Sequence, residues 1–88
     1  MSFFIRSRVD FLALAYARVG LPAPAVDAPV EYLRLDRRWN EQLRRRVERA
    51  DWVTDRAAAF AFDSEADAWT AFDRTGYCRR DYFEAVEL

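Results

Sequence analysis

All three prolines of the chain lie within eight consecutive positions, at Pro22, Pro24 and Pro29. Proline fixes its own φ angle, lacks an amide hydrogen and disfavours helical geometry at the residue before it. Neither a helix nor a central strand is expected to run through segment 21–29, and we predict a connector there. The parts on either side must pack against each other, because 88 residues make one domain, 1–88, with a thin core.

The part before the connector predicts one strand and one helix. Residues 2–6 are aromatic and β-branched, which is typical of a strand. A helix is predicted over 8–19, with Ser7 and Asp10 in a loose capping box and Gly20 just past its end. The apolar stripe of this helix comprises Val9, Leu12, Tyr16 and Val19.

Two further apolar residues of this helix, Phe11 and Leu14, fall outside the stripe. The helix is then either enclosed within the fold or one half of an interface. A homodimer through helix 8–19, in a homo-oligomeric structural protein, is therefore one open alternative for the role of the chain.

Apolar residues recur at spacings of three and four after the connector. This pattern predicts one long helix over 28–50, with Asp27 as its N-cap. An alternative makes segment 29–35 a strand and starts the helix at Asp36. We favour the continuous helix and leave the alternative open. The buried seam of the long helix would comprise Tyr32, Leu35, Trp39, Leu43, Val47 and Ala50.

Two more strands are predicted in the C-terminal half. Phe60 and Phe62 alternate with alanines over 58–62, and residues 82–88 alternate to the last position. With 2–6 these segments predict a small three-stranded, mainly antiparallel sheet covered by helices. The predicted class is α+β, in the order β-α-α-β-α-β, with one long arginine-rich helix.

A third helix is predicted between those two strands. Asp63 or Ser64 is expected to cap it, and Gly76 stands where a glycine commonly follows a helix. Its first turn carries acids, which the helix dipole favours, and its buried side is aromatic. These positions are Glu65 and Asp67, and Trp69 and Phe72, respectively.

The composition removes several kinds of chemistry. Histidine is absent and Cys78 is the single cysteine, whereas zinc sites need several Cys or His ligands and the usual nucleophilic triads need an imidazole. A lone thiol forms no internal disulfide and is expected to be unreactive. We therefore expect no enzyme activity and no cofactor, and we assign no catalytic, cofactor-binding or metal-binding residue.

No apolar stretch approaches the roughly 18 residues of a membrane span. The N-terminal apolar run is interrupted by Asp10, unlike that of a secretory signal. We expect a cytoplasmic protein without a membrane partner.

The charges are unevenly distributed. The formal net charge is −1, but residues 34–49 carry seven arginines against three acids, and residues 51–88 carry four arginines against nine acids. A basic middle is therefore followed by an acidic end. On the predicted helix, Arg38, Arg45 and Arg49 fall within about 40° of one another, with Arg37 and Arg44 on the opposite flank.

Three interpretations of this arginine-rich segment are open. A solvated face would pair Glu41 with Arg45 and Arg44 with Glu48, each pair worth a few tenths of a kcal/mol. A nucleic-acid-binding regulator would use Arg38, Arg45 and Arg49 on phosphates. Three phosphate contacts give a salt slope of only about −2.7 on duplex DNA, and the acidic end would repel the same polymer.

We favour the third interpretation, a protein interface. Arginine, tryptophan and tyrosine dominate binding hot spots, and here they interleave. Trp39 is assigned to the core, whereas Trp52 lies at the helix end and is freer. The predicted partner-binding residues are Arg37, Arg38, Arg44, Arg45, Arg49 and Trp52.

The acidic end offers a second surface. It would present a negative charge to a basic partner, or it would only keep the protein soluble. The residues concerned are Asp63, Asp67, Asp73, Asp81, Glu84 and Glu87.

The C-terminal half also resembles small α+β proteins of phages and mobile elements, including anti-CRISPR inhibitors. The resemblance rests on "WVTDRAAAFAFDSEADAWTAF", on "YFEAVEL" and on the opening "FFIRS". Its residues are structural: Phe62 ends a strand, Asp63 and Ser64 make the junction to a helix, and Trp69 lies in the core. Such proteins usually have a short hairpin where a long helix is predicted here.

The resemblance implies a non-catalytic inhibitor or adaptor that binds a host assembly. The expected function is thus a protein-binding module, most concretely a mobile-element inhibitor of a bacterial defence complex. The expected partner is another protein or a nucleoprotein complex.

Overall fold

A computed structural model describes residues 2–25, 29–77 and 79–88. The strands in these ranges are β1 (Phe3–Ser7), β2 (Tyr32–Asn40), β3 (Arg45–Val53) and β4 (Phe83–Glu87), and the helices are α1 (Phe11–Arg18) and α2 (Glu65–Arg74). Short 3₁₀ turns occupy Arg56–Ala58 and Arg80–Tyr82. The predicted α+β class is confirmed, but the described sheet has four strands in the order β-α-β-β-α-β. The expectations for Asp27 and Cys78 lie outside the described residues.

The four strands form one antiparallel sheet in the spatial order β3-β2-β1-β4. The last strand returns beside the first, as in a Greek-key arrangement. β1 pairs with β4 along its whole length, from Phe3 opposite Glu87 to Ser7 opposite Phe83. The strands predicted at 2–6 and 82–88 are therefore confirmed to within a residue.

The core lies between one face of this sheet and α2. Ile5 of β1, Leu33 of β2 and Phe72 of α2 are all fully buried, and Ala68 and Ala71 join them. Small side chains on α2 allow the helix to approach the sheet closely while Phe72 fills the space between the strands. This packing holds the C-terminal helix against the N-terminal strand.

The prediction for α2 is confirmed. The Ser64 hydroxyl accepts a hydrogen bond from the Asp67 amide at 3.1 Å, which is the usual N-cap contact. Gly76 follows the helix with a φ of +83°, a left-handed conformation that costs glycine little.

The predictions for α1 need correction. Ser7 is a buried residue of β1, and its hydroxyl accepts from the Glu31 amide, so it caps no helix. The predicted stripe is also wrong at its ends, because Val9 and Val19 are 70% and 69% exposed. Phe11, outside that stripe, packs edge-on against Tyr82 and Phe83.

The end of α1 follows the prediction. Gly20 has a φ of +76°. The Leu21 amide donates to the Tyr16 carbonyl and the Gly20 amide donates to the Ala17 carbonyl. These two bonds are those of a Schellman motif, which turns the chain into the proline-rich connector.

The predicted helix 28–50 is wrong, and so is the alternative helix from Asp36, because this region forms the β2–β3 hairpin. A spacing of four, as between Leu35 and Trp39, spans about one helical turn but also two strand repeats, so it does not distinguish the two structures. The burial of Leu33 distinguishes the strand from the helix. It lies two residues before Leu35 and is buried under α2, which only a strand allows. The alternative strand 29–35 is partly confirmed, since β2 begins at Tyr32.

The predicted strand 58–62 is also wrong. This segment instead makes isolated backbone contacts with β1 and β2, and these contacts affect where the hairpin lies. Phe62 forms a single antiparallel bridge with Phe3, with hydrogen bonds of 2.8 and 2.9 Å, and the Phe60 amide donates to the Leu33 carbonyl at 3.1 Å. This segment lies where β2 would otherwise continue beside β1. In the described residues β2 and β1 pair only at Tyr32 and Arg6, and the hairpin then leaves the sheet.

The β2–β3 hairpin therefore projects from the rest of the molecule. Its two nine-residue strands are paired without a break from Tyr32 opposite Val53 to Asn40 opposite Arg45. The Cα radius of gyration is 14.7 Å and the longest dimension 46 Å, against a radius of about 12 Å for a compact domain of this length. We call residues 36–49 the arm and residues 39–46 its tip.

Candidate binding site on the arm

Strand alternation distributes the arm's side chains between two faces. We define the inner face as the one that points toward α2, because its Glu48 lies 3.5 Å from Arg74 of that helix. The other face is the outer face. The inner face carries Arg37, Trp39, Arg46 and Glu48, and the outer face carries Asp36, Arg38, Arg45, Val47 and Arg49.

The predicted grouping of arginines is found again in a different element. Arg38, Arg45 and Arg49 share the outer face of a ribbon, whereas Arg37 lies on the inner face and Arg44 in the turn. The helical pairs expected for a solvated face, Glu41 with Arg45 and Arg44 with Glu48, do not form, because residues four apart are not neighbours in this hairpin.

The hairpin's ion pairs lie along its strands rather than at its tip. Arg38 donates to Asp36 at 2.8 Å, two residues back on the same strand, and Arg49 lies 3.5 Å from Asp51. Within the described ranges, no carboxylate lies within 4 Å of a guanidinium nitrogen of four arm arginines. These four are Arg37, Arg44, Arg45 and Arg46.

Five of the eight arginines outside the arm show the opposite pattern, whereas Arg34, Arg56 and Arg79 make no ion pair within 4 Å in the described ranges. Arg6 donates to Glu84 at 2.7 Å, and Arg80 makes a two-pronged contact with Asp73 at 2.6 and 3.1 Å while its guanidinium lies 4.9 Å from the centre of the Trp69 ring. Arg18 is bound by both Tyr82 and Asp81. The remaining two are Arg8, paired with Asp10, and Arg74, paired with Glu48. Most arginines outside the arm thus hold a carboxylate, whereas the three at the arm tip hold none from the described residues.

The two tryptophans exchange the places predicted for them. Trp52 is half-buried, stacked on Phe83 with ring centres 4.6 Å apart and edge-on to Tyr77. Trp39 is 57% exposed on the inner face, opposite Arg46. The helical period of about 3.6 residues predicted Trp39 in a buried seam. Strand β2 instead carries Trp39 too far along the hairpin to pack against α2. Trp52 therefore supports the arm's base, and Trp39 is the exposed aromatic of the tip.

Leu43 and Arg46 were not among the predicted partner-binding residues. Leu43 lies in the turn and is 56% exposed, and Arg46 is the second inner-face arginine. The signal that marks them is Asn40, a residue that favours turns, whose side-chain oxygen accepts from the Leu43 amide at 2.9 Å. The turn contains no glycine, and Arg44 takes the left-handed φ of +50° instead.

One carboxyl group on the arm is electrostatically perturbed. The hydrogen bond from Arg38, together with its charge, lowers the pKa of Asp36 below its ordinary value of 3.8. Asp36 therefore remains an anion through the physiological range and holds Arg38 along the outer face.

A cleft of about 490 Å³ lies between the root of the arm and α2. Leu35, Phe62 and Ala71 form its apolar floor, and Arg37 and Arg74 stand among its polar walls. Both signs of charge line it, so it offers no single electrostatic preference. We treat it as the space that separates the arm from the body.

The acidic end is only partly available to a basic partner. Asp73, Asp81 and Glu84 are held by body arginines at distances of 2.6, 3.2 and 2.7 Å. Of the six predicted residues, Asp63, Asp67 and Glu87 make no ion pair within 4 Å in the described ranges. Half of these six acids thus neutralise the body's own arginines.

No group of three or more acidic or cysteine side chains among the described residues is arranged to hold a metal ion. No helix in the described ranges is long and apolar enough to span a membrane.

Comparisons with known proteins give no match, so the site is interpreted from its geometry alone. No protein-family model, no curated protein and no solved structure matches this chain.

Proposed function

We propose that this chain is a non-catalytic protein-binding module whose arm tip docks on an acidic surface of another protein. The observation that carries the proposal is that the three arginines clustered at the tip hold no carboxylate from the described residues, whereas five of the eight arginines outside the arm hold one. A guanidinium that already holds a carboxylate has fewer free donors and a partly neutralised charge to offer a second one, whereas Arg44, Arg45 and Arg46 have no such internal competitor among the described residues.

The tip also combines the residue types that dominate interfaces. Trp39 and Leu43 leave 57% and 56% of their surfaces exposed, and the same tip carries Arg44, Arg45 and Arg46. Aromatic anchors contribute buried area, and arginine contributes directional, two-pronged contacts with carboxylates. Opposite charge on the partner would accelerate encounter and select against basic surfaces.

For the partner itself, we propose a protein or nucleoprotein complex of bacterial defence, inhibited by this chain on behalf of a mobile element. Support comes from the resemblance of the Phe62-Asp63-Ser64 junction and of Trp69 to small phage proteins, and from the absence of histidine in the sequence, which removes the imidazole that the usual nucleophilic triads need. A host whose defence blocks a phage should lose that protection when it expresses this chain.

The proposal is tested by affinity capture from the native host with three forms of the protein. The wild type is compared with an Arg45→Ala/Arg46→Ala variant of the tip and with an Arg56→Ala/Arg79→Ala variant of the body. Both variants remove two positive charges from exposed positions. A partner that docks on the tip should be captured at least about tenfold less by the tip variant, a loss of about 1.4 kcal/mol.

The body variant is expected to capture the same partner as the wild type. Equal capture by the tip variant and the wild type would contradict the proposal, because the arm would then not be the contact. Equal loss in both variants would assign the effect to net charge alone.

A second candidate, a nucleic-acid-binding protein, is favoured by one observation. The arm's arginines lie on both faces and in the turn, and a two-stranded ribbon fits the major groove of DNA, whose two walls both carry phosphates. The same capture experiment separates the two functions. Partners that remain after nuclease treatment of the lysate support protein binding, and partners lost by it support the nucleic-acid function.

A further inference from the structure

A separate pocket of about 260 Å³ lies on the covered side of the sheet, where α1 approaches the strands. Four aromatic rings line it, and they come from α1, β3, β4 and the segment that follows α2. These are Phe11, Trp52, Phe83 and Tyr77. The pocket is smaller than the roughly 300–1,000 Å³ typical of drug-sized ligands, so it suits a small head group.

The rings meet as adjoining walls. Trp52 and Tyr77 stand at 73° with centres 5.5 Å apart, and Phe11 and Phe83 stand at 66° with centres 5.7 Å apart. The stacked contact between Trp52 and Phe83 joins the two pairs. Aromatic faces carry a negative quadrupole charge, so a cation is attracted to each ring face that borders the pocket.

A carboxylate stands at the same pocket. Glu31 is the one acidic residue among those that line it, and no arginine lines it although the chain has 14. Glu31 makes no ion pair within 4 Å in the described part of the chain. The pocket therefore combines aromatic walls with a net negative charge.

The backbone at Glu31 is fixed from both sides. Its amide donates to the Ser7 hydroxyl at 2.9 Å, and its carbonyl accepts from the Ser7 amide at 2.8 Å. Ser7 is itself buried at the end of β1. This clamp positions the residue before any ligand arrives, which lowers the entropic cost of binding.

We propose that this pocket binds an alkylated ammonium group, either of a small molecule or of a methylated lysine side chain. Methyl groups give such a cation an apolar surface that suits ring walls, and they weaken the hydration that holds a simple ammonium or guanidinium in water. Glu31 would then neutralise the charge at the pocket edge. The proposal is independent of the arm and of the function proposed for it.

The test titrates the wild-type protein with choline and with 3,3-dimethylbutan-1-ol, a neutral molecule of nearly the same shape, while NMR follows the indole signal of Trp52. Choline is expected to bind at least about tenfold more tightly than the alcohol, because only the cation gains from the ring faces and the carboxylate. No shift with choline, or equal affinity for both molecules, would overturn the proposal.

Two variants locate the site. Glu31→Gln keeps the shape and removes the charge, so choline affinity should fall about fivefold or more, whereas Glu41→Gln makes the same charge change in the arm's turn and should leave affinity unchanged. Loss of choline affinity through Glu41→Gln, or none through Glu31→Gln, would contradict the assignment.

The two sources of the cation are separated by a further probe, the acetylated amide of trimethyl-lysine. Tighter binding of this probe than of choline assigns the pocket to a modified protein side chain. Tighter binding of choline assigns it to a free metabolite.

Discussion

At the scale of single residues, the setting of each arginine decides what it can do. Arg80 is held by a carboxylate and an aromatic ring, and Arg6 is held by Glu84, so each stabilises the fold locally. Arg45 and Arg46 have no such neighbour within the described ranges. Exposed ion pairs are worth little to stability, so the unpaired state of the tip costs the fold almost nothing.

The pair between Arg38 and Asp36 predicts a measurable pH dependence. The pKa of Asp36 is lowered in the folded protein, so the stabilisation from the pair is complete above the carboxyl's ordinary pKa of 3.8. It is lost as the pH falls through the lower, folded-state pKa. Replacing Arg38 with Ala should raise the pKa of Asp36 toward its ordinary value, and NMR titration of the Asp36 carboxyl carbon measures this directly.

Arg37→Ala is the matched control, because Arg37 is next in the sequence but lies on the inner face. This variant should leave the pKa of Asp36 nearly unchanged. An equal rise in both variants would show that general charge, and not the Arg38 contact, lowers the pKa.

At the scale of elements, the arm exists because two segments compete for the same place beside β1. Phe62 binds Phe3 by a two-way backbone bridge, and this displaces β2 from β1 beyond Tyr32. The rest of the hairpin is then held by its own nine-pair ladder. Hairpins alone are marginally stable in water, so the arm is expected to be the least protected strand pair of the sheet.

The turn of the arm contains backbone strain that a substitution can relieve. Arg44 has a φ of +50°, and a left-handed conformation costs a non-glycine residue about 1–2 kcal/mol, partly offset by the greater chain entropy of glycine when unfolded. Arg44→Gly should therefore stabilise the turn by up to about 1 kcal/mol. Hydrogen exchange of the Leu43 amide, which binds Asn40, should slow by up to about fivefold.

The neighbouring change Arg45→Gly is the control for this prediction. Arg45 begins β3 with ordinary strand geometry, where glycine only weakens pairing, so exchange of the Leu43 amide should become faster. Faster exchange in Arg44→Gly would contradict the strain assigned to the turn.

At the scale of the whole molecule, a small core carries a long projection. The fully buried side chains Phe72, Ile5 and Leu33 join α2 to the sheet, while the arm adds surface without adding to this core. Stability and binding are thus separated in space. Changes at the tip should leave the fold intact, and changes in the core should unfold the protein.

The core makes this separation testable. Phe72 is fully buried, so Phe72→Ala should lower the free energy of unfolding by about 3–5 kcal/mol. Phe60 is 44% exposed, and Phe60→Ala should cost about 1 kcal/mol. Urea denaturation measures both. Equal losses would mean that the core does not lie where Phe72 places it.

The parts of the fold that the sequence predicts correctly are those that depend on local signals. The cap at Ser64, the glycines after both helices and the strands at either end depend on neighbouring residues, and these predictions are confirmed to within a few residues. The hairpin depends on Leu33 packing under a helix some 35 residues later in the chain. No local pattern reports that contact, and no glycine marks the turn.

The candidate site was predicted in part for the same reason. Charge is a property of the residues themselves, so the basic segment was visible, and Arg38, Arg45 and Arg49 share a face in the structure as they did on the predicted helix. The exposure of a side chain, in contrast, depends on the secondary-structure element that carries it. Trp39 and Trp52 were therefore exchanged, and their partner-binding role and that of the arginines stay predictions.

The central claim is that the arginines at the arm tip hold no carboxylate from the part of the chain that the structure describes. It is tested most directly by NMR of the arginine side chains in the free protein, which measures how fast each Nε hydrogen exchanges with water. The signals of Arg44, Arg45 and Arg46 should exchange fast, while those of Arg6 and Arg80, whose Nε atoms donate to carboxylates, should be slower. Tip signals as slow as that of Arg80 would show that their partners are internal, and the arm would then have no guanidinium groups available for docking.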